Sequence, residues 1–598
     1  MLKEYEEKFF LNDKPVLIIG AGPAGLTAAY EFIKLGIRPI VIEKAGKVGG
    51  IARTESYKGY HFDMGGHRFF SKIPKINQLW QEMLGKDLLK VPRLSRIYYQ
   101  GRFFNYPLEV INTLFNLGIL ESFLISLSYL SAQIRPYPEE ETFDQWVSNR
   151  FGRRLYEKFF KTYTEKVWGI PCSKIKADWA AQRIKGLSLM AAVVNALLEI
   201  QKAKTLINKF DYPLKGPGMM WERFKEYVVA GGGQILLDSK VTGLRHENGS
   251  IVSVEYVNDN KLNETPVRYL ISSMPIARLV SMTKPKAPAK VITSADRLSY
   301  RTFIIVILIV DKKNIFPDQW IYIHSPDVRV GRIQNFKNWS EAMVPDPDKT
   351  SIGMEYFCSE GDDISEMTDA DLIAMASGEL SKIGFSEVND IVYGYVARQP
   401  DAYPIYDDGY KENLSVIREY LGAIDNLQTI GRSGTHRYNN MDHSMLSGIL
   451  AVQNYSGSKH DLWNVNEEEE YIEEDKQAID RRLFTERILG RTFARIDKLA
   501  FAISVGSVSG LLVFLATIWL VIKGGEVVGP NLRLLSQYFA GYTVSLKGSF
   551  IAFCYSFAWG FLFGWLLAYL RNLFLSLYIF WVRKKTEILT LKDFFDYI

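Results

Sequence analysis

The chain of 598 residues is 47% hydrophobic, 23% charged and 13% aromatic, with a formal net charge of +5. That composition excludes a disordered, collagen-like or disulfide-rich chain, and the length points to several domains rather than one core. The small positive balance, with no basic patch interleaved with aromatics, gives no case for a nucleic-acid partner. The mean hydropathy of −0.05 matches ordinary soluble enzymes, yet an average over such a length conceals short apolar segments.

The N-terminal stretch MLKEYEEKFFLNDKP is charged and lacks an apolar run, so no cleaved signal peptide is expected. Val16 to Ile19 then reads as a strand, Gly20-Ala21-Gly22-Pro23-Ala24-Gly25 as a turn, the residues through Leu35 as a helix, and Pro39 to Ile42 as a second strand ending at Glu43. This is a βαβ unit with GxGxxG in its turn and an acid about 20 residues on, the pattern of a dinucleotide site. Gly20, Gly22 and Gly25 let backbone approach a pyrophosphate, and the helix start at Ala24 offers N–H groups and positive dipole. Glu43 is placed to accept from ribose hydroxyls, with Lys44 beside it.

Residues from about 108 to 210 read as helical, with amphipathic stretches Leu108 to Gln133 and Thr142 to Tyr163. Strands return near Gln234 to Leu237, Ser250 to Val257 and Tyr269 to Ser273, and again at Phe303 to Val310. The acidic run Glu467 to Asp475 reads as a solvated linker into a basic helix. The three cysteines, Cys172, Cys358 and Cys554, are far apart with no CxxC pair, so neither a disulfide framework nor a metal site is expected and a reducing compartment fits.

Two uncharged runs close the chain, Leu499 to Ile522 (24 residues) and Gly548 to Leu570 (23 residues). Each exceeds the ~20 residues a helix needs to cross a bilayer. Basic residues precede the first (Arg481, Arg482, Arg487, Arg491, Arg495, Lys498) and follow the second (Arg571, Arg583, Lys584, Lys585), while the loop between holds Lys523, Arg533 and Lys547. The positive-inside rule therefore places the N-terminal region and the C-terminus on the cytoplasmic side of a two-span cytoplasmic (inner) membrane protein. Trp519, Trp559, Trp565 and Trp581 suit interfacial or lipid-facing positions, and Asn572 to Val582 reads as a short interfacial helix.

The cofactor is narrowed by three features. The double-glycine loop Gly49-Gly50 with Arg53-Thr54 follows the ribose-binding acid, then Phe62-Asp63-Met64-Gly65-Gly66-His67, and much later a strand and turn run from Leu427 to Gly431 and Arg432. Together they favour FAD over a nicotinamide dinucleotide.

At this point the chain resembles UDP-galactopyranose mutase, within the wider amine-oxidase and protoporphyrinogen-oxidase-like flavoproteins, from about residue 14 to 456. Four segments carry the resemblance. Phe62-Asp63-Met64-Gly65-Gly66-His67-Arg68-Phe69-Phe70 resembles the histidine loop beside the flavin, and Gly101-Arg102-Phe103-Phe104-Asn105-Tyr106-Pro107 the hairpin after it. Tyr163-Thr164-Glu165-Lys166-Val167-Trp168-Gly169 resembles Tyr-Thr-Glu-Lys-Gln-Trp-Gly. Gly431-Arg432-Ser433-Gly434-Thr435-His436-Arg437-Tyr438-Asn439-Asn440-Met441-Asp442 resembles the family's C-terminal signature.

The resemblance implies an α/β fold: a Rossmann-type FAD-binding domain (1–85, with 216–275 and 410–460), a helical insertion lining the substrate site (86–215) and an antiparallel sheet domain (276–409). A charged linker (461–497) and the membrane domain (498–598) follow. It also implies that reduced FAD is the active form, acting through N5 as nucleophile on the anomeric carbon without net oxidation. The protein must then hold phosphate near the flavin, work suited to arginine forks and tyrosine hydroxyls.

By motif position Arg183 (in Gln182-Arg183-Ile184), Arg432, Tyr438 and Tyr403 are implied phosphate ligands, and Arg332 an arginine near the flavin ring. His67 matches the first histidine of the flavin loop. Phe159, Tyr163 and Trp168 match substrate-lining positions. Gly50, Gly66, His67, Val241, Gly431, Asn440 and Met441 complete the implied cofactor set, and Gly448 lies on the helix after the signature.

Two departures from the family matter. Phe70 stands where the mutase loop has its second histidine, and the soluble mutases lack a membrane hairpin. A water-soluble sugar nucleotide needs no spans, whereas a lipid-linked substrate does. The expectation is therefore a membrane-bound pyranose–furanose mutase acting on a polyprenyl-phosphate-linked sugar in cell-surface glycan synthesis. Its rivals are an FAD-dependent oxidoreductase of a lipid, isoprenoid or amine, and a mutase of the soluble UDP-galactopyranose. A homo-oligomer is left open.

Overall fold

Five parallel strands frame the N-terminal unit, in the order Leu427–Thr429, Tyr269–Ser272, Val16–Ile19, Ile40–Ile42, Gln234–Leu236. The computed structural model describes residues 14–106, 110–177, 209–465, 496–524 and 529–595. The chain divides into two units, Met1–Glu474 and Asp475–Ile598.

The first strand shows why the sheet forms here. Val16 and Ile18 face one core with Leu26, Phe32, Trp221 and Ile449, while Leu17 and Ile19 face another with Leu244, Leu270, Ile276 and Leu421. A strand apolar on both faces belongs in the middle of a parallel sheet covered by helices. The helices Pro23–Lys34, Gly218–Ala230 and Met441–Tyr455 lie on the first face.

A seven-stranded sheet forms the second layer, in the order Ile391–Pro404, Tyr300–Val310, Thr350–Cys358, Arg332–Asn335, Trp320–Ile323, Ser95–Tyr99, Arg102–Asn105. The expected sheet of residues 276–409 is thus extended by two strands from the expected insertion 86–215, the second of them within the stretch read as a hairpin. Ser95–Tyr99 pairs in parallel with Trp320–Ile323, so the sheet is mixed rather than antiparallel. Parallel pairing joins residues far apart in sequence and leaves no local signature.

The helical reading needs two breaks. Val110–Leu117 and Ile119–Ile134 separate at Gly118, at φ +88°. Phe143–Phe151 ends at Gly152, at φ +82°, where an added Cβ would lie 2.8 Å from the Tyr129 nitrogen. Arg153–Tyr156, one π-helical turn Glu157–Lys161 and Thr162–Trp168 follow.

Among the described residues the C-terminal unit has two helices long and apolar enough to cross a membrane, Lys498–Lys523 and the apolar part Leu546–Phe574 of Leu546–Phe595. They touch through glycine: an added Cβ at Gly560 would lie 3.0 Å from Gly506 Cα, and one at Gly564 3.2 Å from Ala502 Cα. The segment 572–582, read as a separate interfacial helix, continues the second long helix without a break.

Candidate functional site

The glycines of the first turn are a steric requirement. Gly20 sits at φ +96°, where its added Cβ would meet Ser273 Oγ at 2.2 Å, and a Cβ on Gly25 would fall 1.9 Å from the Gly20 carbonyl oxygen. Gly50, at φ +56°, comes within 3.2 Å of Gly22 Cα by the same measure. The buried Glu43 carboxylate accepts from Ala21 N–H at 2.7 Å and Ala45 N–H at 2.9 Å. Ser239 N–H donates to the Glu43 carbonyl at 2.8 Å, which brings the strand with Val241 beside that acid. Gly431, at φ +72°, has room for no Cβ against Ala24 (2.9 Å). Asn440 sits in extended backbone immediately before the helix that starts at Met441. Lys44 is exposed. This cradle of close backbone, a helix start and a buried acid fits a dinucleotide such as FAD.

From Gly50 the track continues inward. Arg53 donates to the Gly50 carbonyl at 2.9 Å and to Gln399 Oε1 at 2.6 Å, fixing the double-glycine loop to the seven-stranded sheet. His67 Nε2 donates to the Met64 carbonyl at 3.0 Å. Burial, then the nearby Arg432 and Arg332 charges, hold its pKa down to about 4, although the Met64 and Ile51 carbonyls pull the other way. The imidazole is therefore neutral at physiological pH. Gly65 and Gly66 are confined by Arg332, Glu355 and Gln334; an added Cβ at Gly66 would lie 2.8 Å from Gln334 Nε2.

Five of the expected residues meet around this loop. Arg432 lies over Tyr438 (4.4 Å to the ring centroid) and Tyr403 (5.3 Å), whose rings stack at 5.9 Å. Burial and the neighbouring Tyr438 raise the Tyr403 pKa to about 12, so its hydroxyl keeps its proton. Arg332 pairs with the fully buried Glu355 and adjoins Tyr163 and Tyr403. Tyr163 stacks on His324 at 4.9 Å and meets Tyr322 edge-on at 5.5 Å. Its helix is locked by Lys166, whose ammonium donates to the carbonyls of Ile323, Ser325 and Val330 at 3.3, 2.7 and 3.1 Å.

The structure places other expected residues differently. Arg183 lies outside the described residues. Phe159 is buried at 3% exposure, packed against Phe104, Tyr99 and His324, and Trp168 is buried at 5% beside Tyr406. Both are buried where the helical segment packs against other parts of the fold, Phe159 on the strands that carry Tyr99 and Phe104 and Trp168 on the residues after Ile391–Pro404, because large aromatic surfaces pack together out of water. Arg432 also spends donors on main chain: Nε and Nη2 on the Asn439 carbonyl (3.0 and 2.9 Å) and Nη1 on that of Ala402 (3.3 Å). Glu355, Gln334 and Tyr322 escaped the sequence reading. Glu355 had a readable signal, as the one acid in the wholly buried strand Thr350–Cys358.

Fold and site define an FAD-dependent enzyme of mixed α/β architecture. Residues 23–454 match the family of flavin-containing amine oxidoreductases, and the chain belongs to it. The structure is similar to a crystal structure of reduced UDP-galactopyranose mutase, with a TM-score of 0.67 and 22% identity over 76% of this chain and 97% of that one. A probable UDP-galactopyranose mutase from Klebsiella pneumoniae is 27% identical over 28% of this chain. A coproporphyrinogen III oxidase from Mycobacterium leprae is 21% identical over 69%. A probable flavin-containing monoamine oxidase A from Dictyostelium discoideum is 34% identical over 20%. These alignments span 44%, 92% and 27% of the respective relatives.

Proposed function

We propose that the chain is a membrane-held, flavin-dependent mutase that interconverts pyranose and furanose forms of a sugar linked through phosphate to a polyprenyl carrier. The observation that carries this reading is the convergence of Arg332, Arg432, Tyr403, Tyr438 and Tyr163 around the Gly65-Gly66-His67 loop, with His67 neutral. Bound and reduced, the flavin supplies the nucleophile. The arginines supply positive field for a departing and returning phosphate, the Tyr403 and Tyr163 hydroxyls, kept protonated by burial, donate to its oxygens, and the Tyr438 hydroxyl joins them. His67, neutral, keeps its Nε2 proton in the hydrogen bond to the Met64 carbonyl and presents a polar, uncharged ring to the sugar. Likeness to the reduced mutase structure supports the fold this chemistry requires. The two apolar helices support a lipid carrier, and the flanking arginines and lysines support a cytoplasmic catalytic unit and C-terminus.

A second reading, an FAD-dependent oxidoreductase, is favoured by the oxidase relative aligned over 92% of its length. One assay separates the readings. Dithionite-reduced full-length protein is incubated with polyprenyl-phosphate galactopyranose or with UDP-galactopyranose, and furanose formation and reductant consumption are followed together. The lipid-linked sugar is expected to interconvert with no reductant consumed per turnover. Efficient turnover of the nucleotide sugar alone rejects the lipid carrier. Stoichiometric flavin reduction by a substrate rejects the mutase.

A further inference from the structure

The helix Ile119–Ile134 turns large apolar side chains outward. Leu120, Phe123, Leu127, Leu130 and Ile134 are between 47 and 76% exposed. At about 100° per residue they fall within an arc of about 80°, one stripe along the length of the helix. The opposite side, with Ile125 and Tyr129, is buried. A helix apolar on both sides belongs inside a core or against a lipid phase, and an exposed stripe of this kind is an interaction face.

Charge is arranged around the stripe and kept off it. Glu121 is the one ionisable acid or base of the helix, and its carboxylate is met by Arg154 at 2.5 Å and Lys158 at 3.5 Å. Arg135, exposed, follows the helix directly. At the other end the exposed Arg102 donates to the carbonyl of Asn116, just before the helix. The acids Glu139 to Glu141 come only after Pro136 and Pro138, and Glu140 is answered by Arg150 at 2.6 Å. An apolar stripe with a cation at each end is complementary to an anionic bilayer surface, the apolar side chains in the acyl boundary and the cations among the phosphates. Two copies meeting side by side through the stripe would instead bring like charges together, whichever way the helices run.

The chain also carries a reason to be at a bilayer, since Lys498–Lys523 and Leu546–Phe574 are long and apolar enough to cross one. A unit tethered to a membrane meets its surface at high effective concentration, so a single stripe suffices to hold it there. The helix is joined to the candidate site as well. Asn116 Nδ2 donates to the Phe103 carbonyl at 2.9 Å, and the strand Arg102–Asn105 leads into Tyr106, 4.8 Å from Tyr322, the ring that meets Tyr163 edge-on.

We propose that Ile119–Ile134 is an interfacial helix that lays the flavin-binding unit on the surface of an anionic bilayer, with Arg102 and Arg135 at the head groups. This rests on the reading of the two C-terminal helices as membrane spans and is independent of the sugar chemistry. A contact of this kind beside the site suits a ligand whose reacting group is carried by a lipid.

The test places a fluorophore on full-length, flavin-loaded protein in vesicles of phosphatidylcholine and phosphatidylglycerol containing nitroxide-labelled lipid. The native Cys554, exposed on the second apolar helix, reports the span, while Cys172 and Cys358 are buried. In a Cys554→Ser background, Leu127→Cys and Phe123→Cys report the stripe, and Leu262→Cys, exposed on the strand Lys261–Pro266, is the reference. The labels at Cys554 and at both stripe positions are expected to lose emission to the nitroxide, and the label at Leu262→Cys to keep it. Unchanged emission at both stripe positions, with Cys554 quenched, overturns the proposal. Equal quenching at Leu262→Cys does so too, because the contact then singles out no face. A stripe label shifted to the blue without quenching also overturns it, since protein then covers the face: a second copy where the shift grows with protein density in the vesicles, the same chain where it does not. An unquenched Cys554 rejects the spans, and quenching at the stripe then still places the helix on the bilayer. Wild-type flavin absorbance per protein shows that each variant is folded, and two stripe positions keep the test open should one variant fail. A protein that docks in this way and converts no sugar defeats the mutase reading and keeps the interfacial helix.

Discussion

Arg332 and Glu355 face each other in register on adjacent antiparallel strands, and two nitrogens of the guanidinium, Nε and Nη2, reach a single carboxylate oxygen at 2.7 and 2.6 Å. The other oxygen accepts from Gln334 Nε2 at 2.8 Å. The carboxylate is buried, the arginine only partly, so the pair fixes how the guanidinium faces the flavin loop.

Removing one partner of such a pair leaves a buried charge without compensation. Glu355→Gln is expected to cost about 3–5 kcal/mol in urea unfolding and to lower activity. The double exchange Glu355→Gln with Arg332→Met is expected to cost less stability than the two single changes together. Additive losses would show that the ion pair itself contributes nothing.

Asp63 and His67 flank the flavin loop and make stability depend on pH in opposite directions. Burial raises the Asp63 carboxyl to about 7, even though Tyr212 and Thr54 donate to it at 2.6 and 2.9 Å. Its contribution is therefore fully present below about pH 4 and is lost as pH rises through 7. His67, held down to about 4, contributes above about pH 6.5 and loses that contribution as pH falls through 4. Between pH 4.5 and 7, Asp63→Asn should gain stability relative to wild type as pH rises, and His67→Asn should lose it. Each change is expected to be about 1–3 kcal/mol by denaturant titration at both pH values.

The helix Met441–Tyr455 crosses the dinucleotide helix at Gly448, where an added Cβ would lie 2.4 Å from the Ala24 carbonyl oxygen and 3.1 Å from Ala28 N. Gly448→Val is expected to push the helices apart, cost about 1–3 kcal/mol and lower the flavin absorbance per protein. Full flavin occupancy in that variant would show that the crossing does not set the cofactor site.

The apolar hairpin depends on similar contacts. A Cβ on Gly506 would lie 2.9 Å from the Phe557 carbonyl oxygen. Gly506→Val should lower the melting temperature in detergent, while Leu511→Val, at an exposed position of the same helix, should not. Equal effects of the two would remove the packing argument.

What the sequence determined alone was local. The turn from Gly20 to Gly25, the acid at Glu43 and the two long apolar runs were readable because glycine sterics, strand alternation and span length act within a few tens of residues. The family likeness reached the loop with His67 and the signature with Arg432 for the same reason, since each is a contiguous string. Tertiary structure decided what those side chains do. Arg332 is answered by Glu355 from another strand, Arg432 gives donors to main chain, and Phe159 and Trp168 turn inward. The seven-stranded sheet also takes in Ser95–Tyr99 and Arg102–Asn105, which the expected domain bounds grouped with the helical insertion although a hairpin was read at Gly101–Pro107. Strand order, register and burial arise between residues hundreds of positions apart, and these contacts set which charges are compensated.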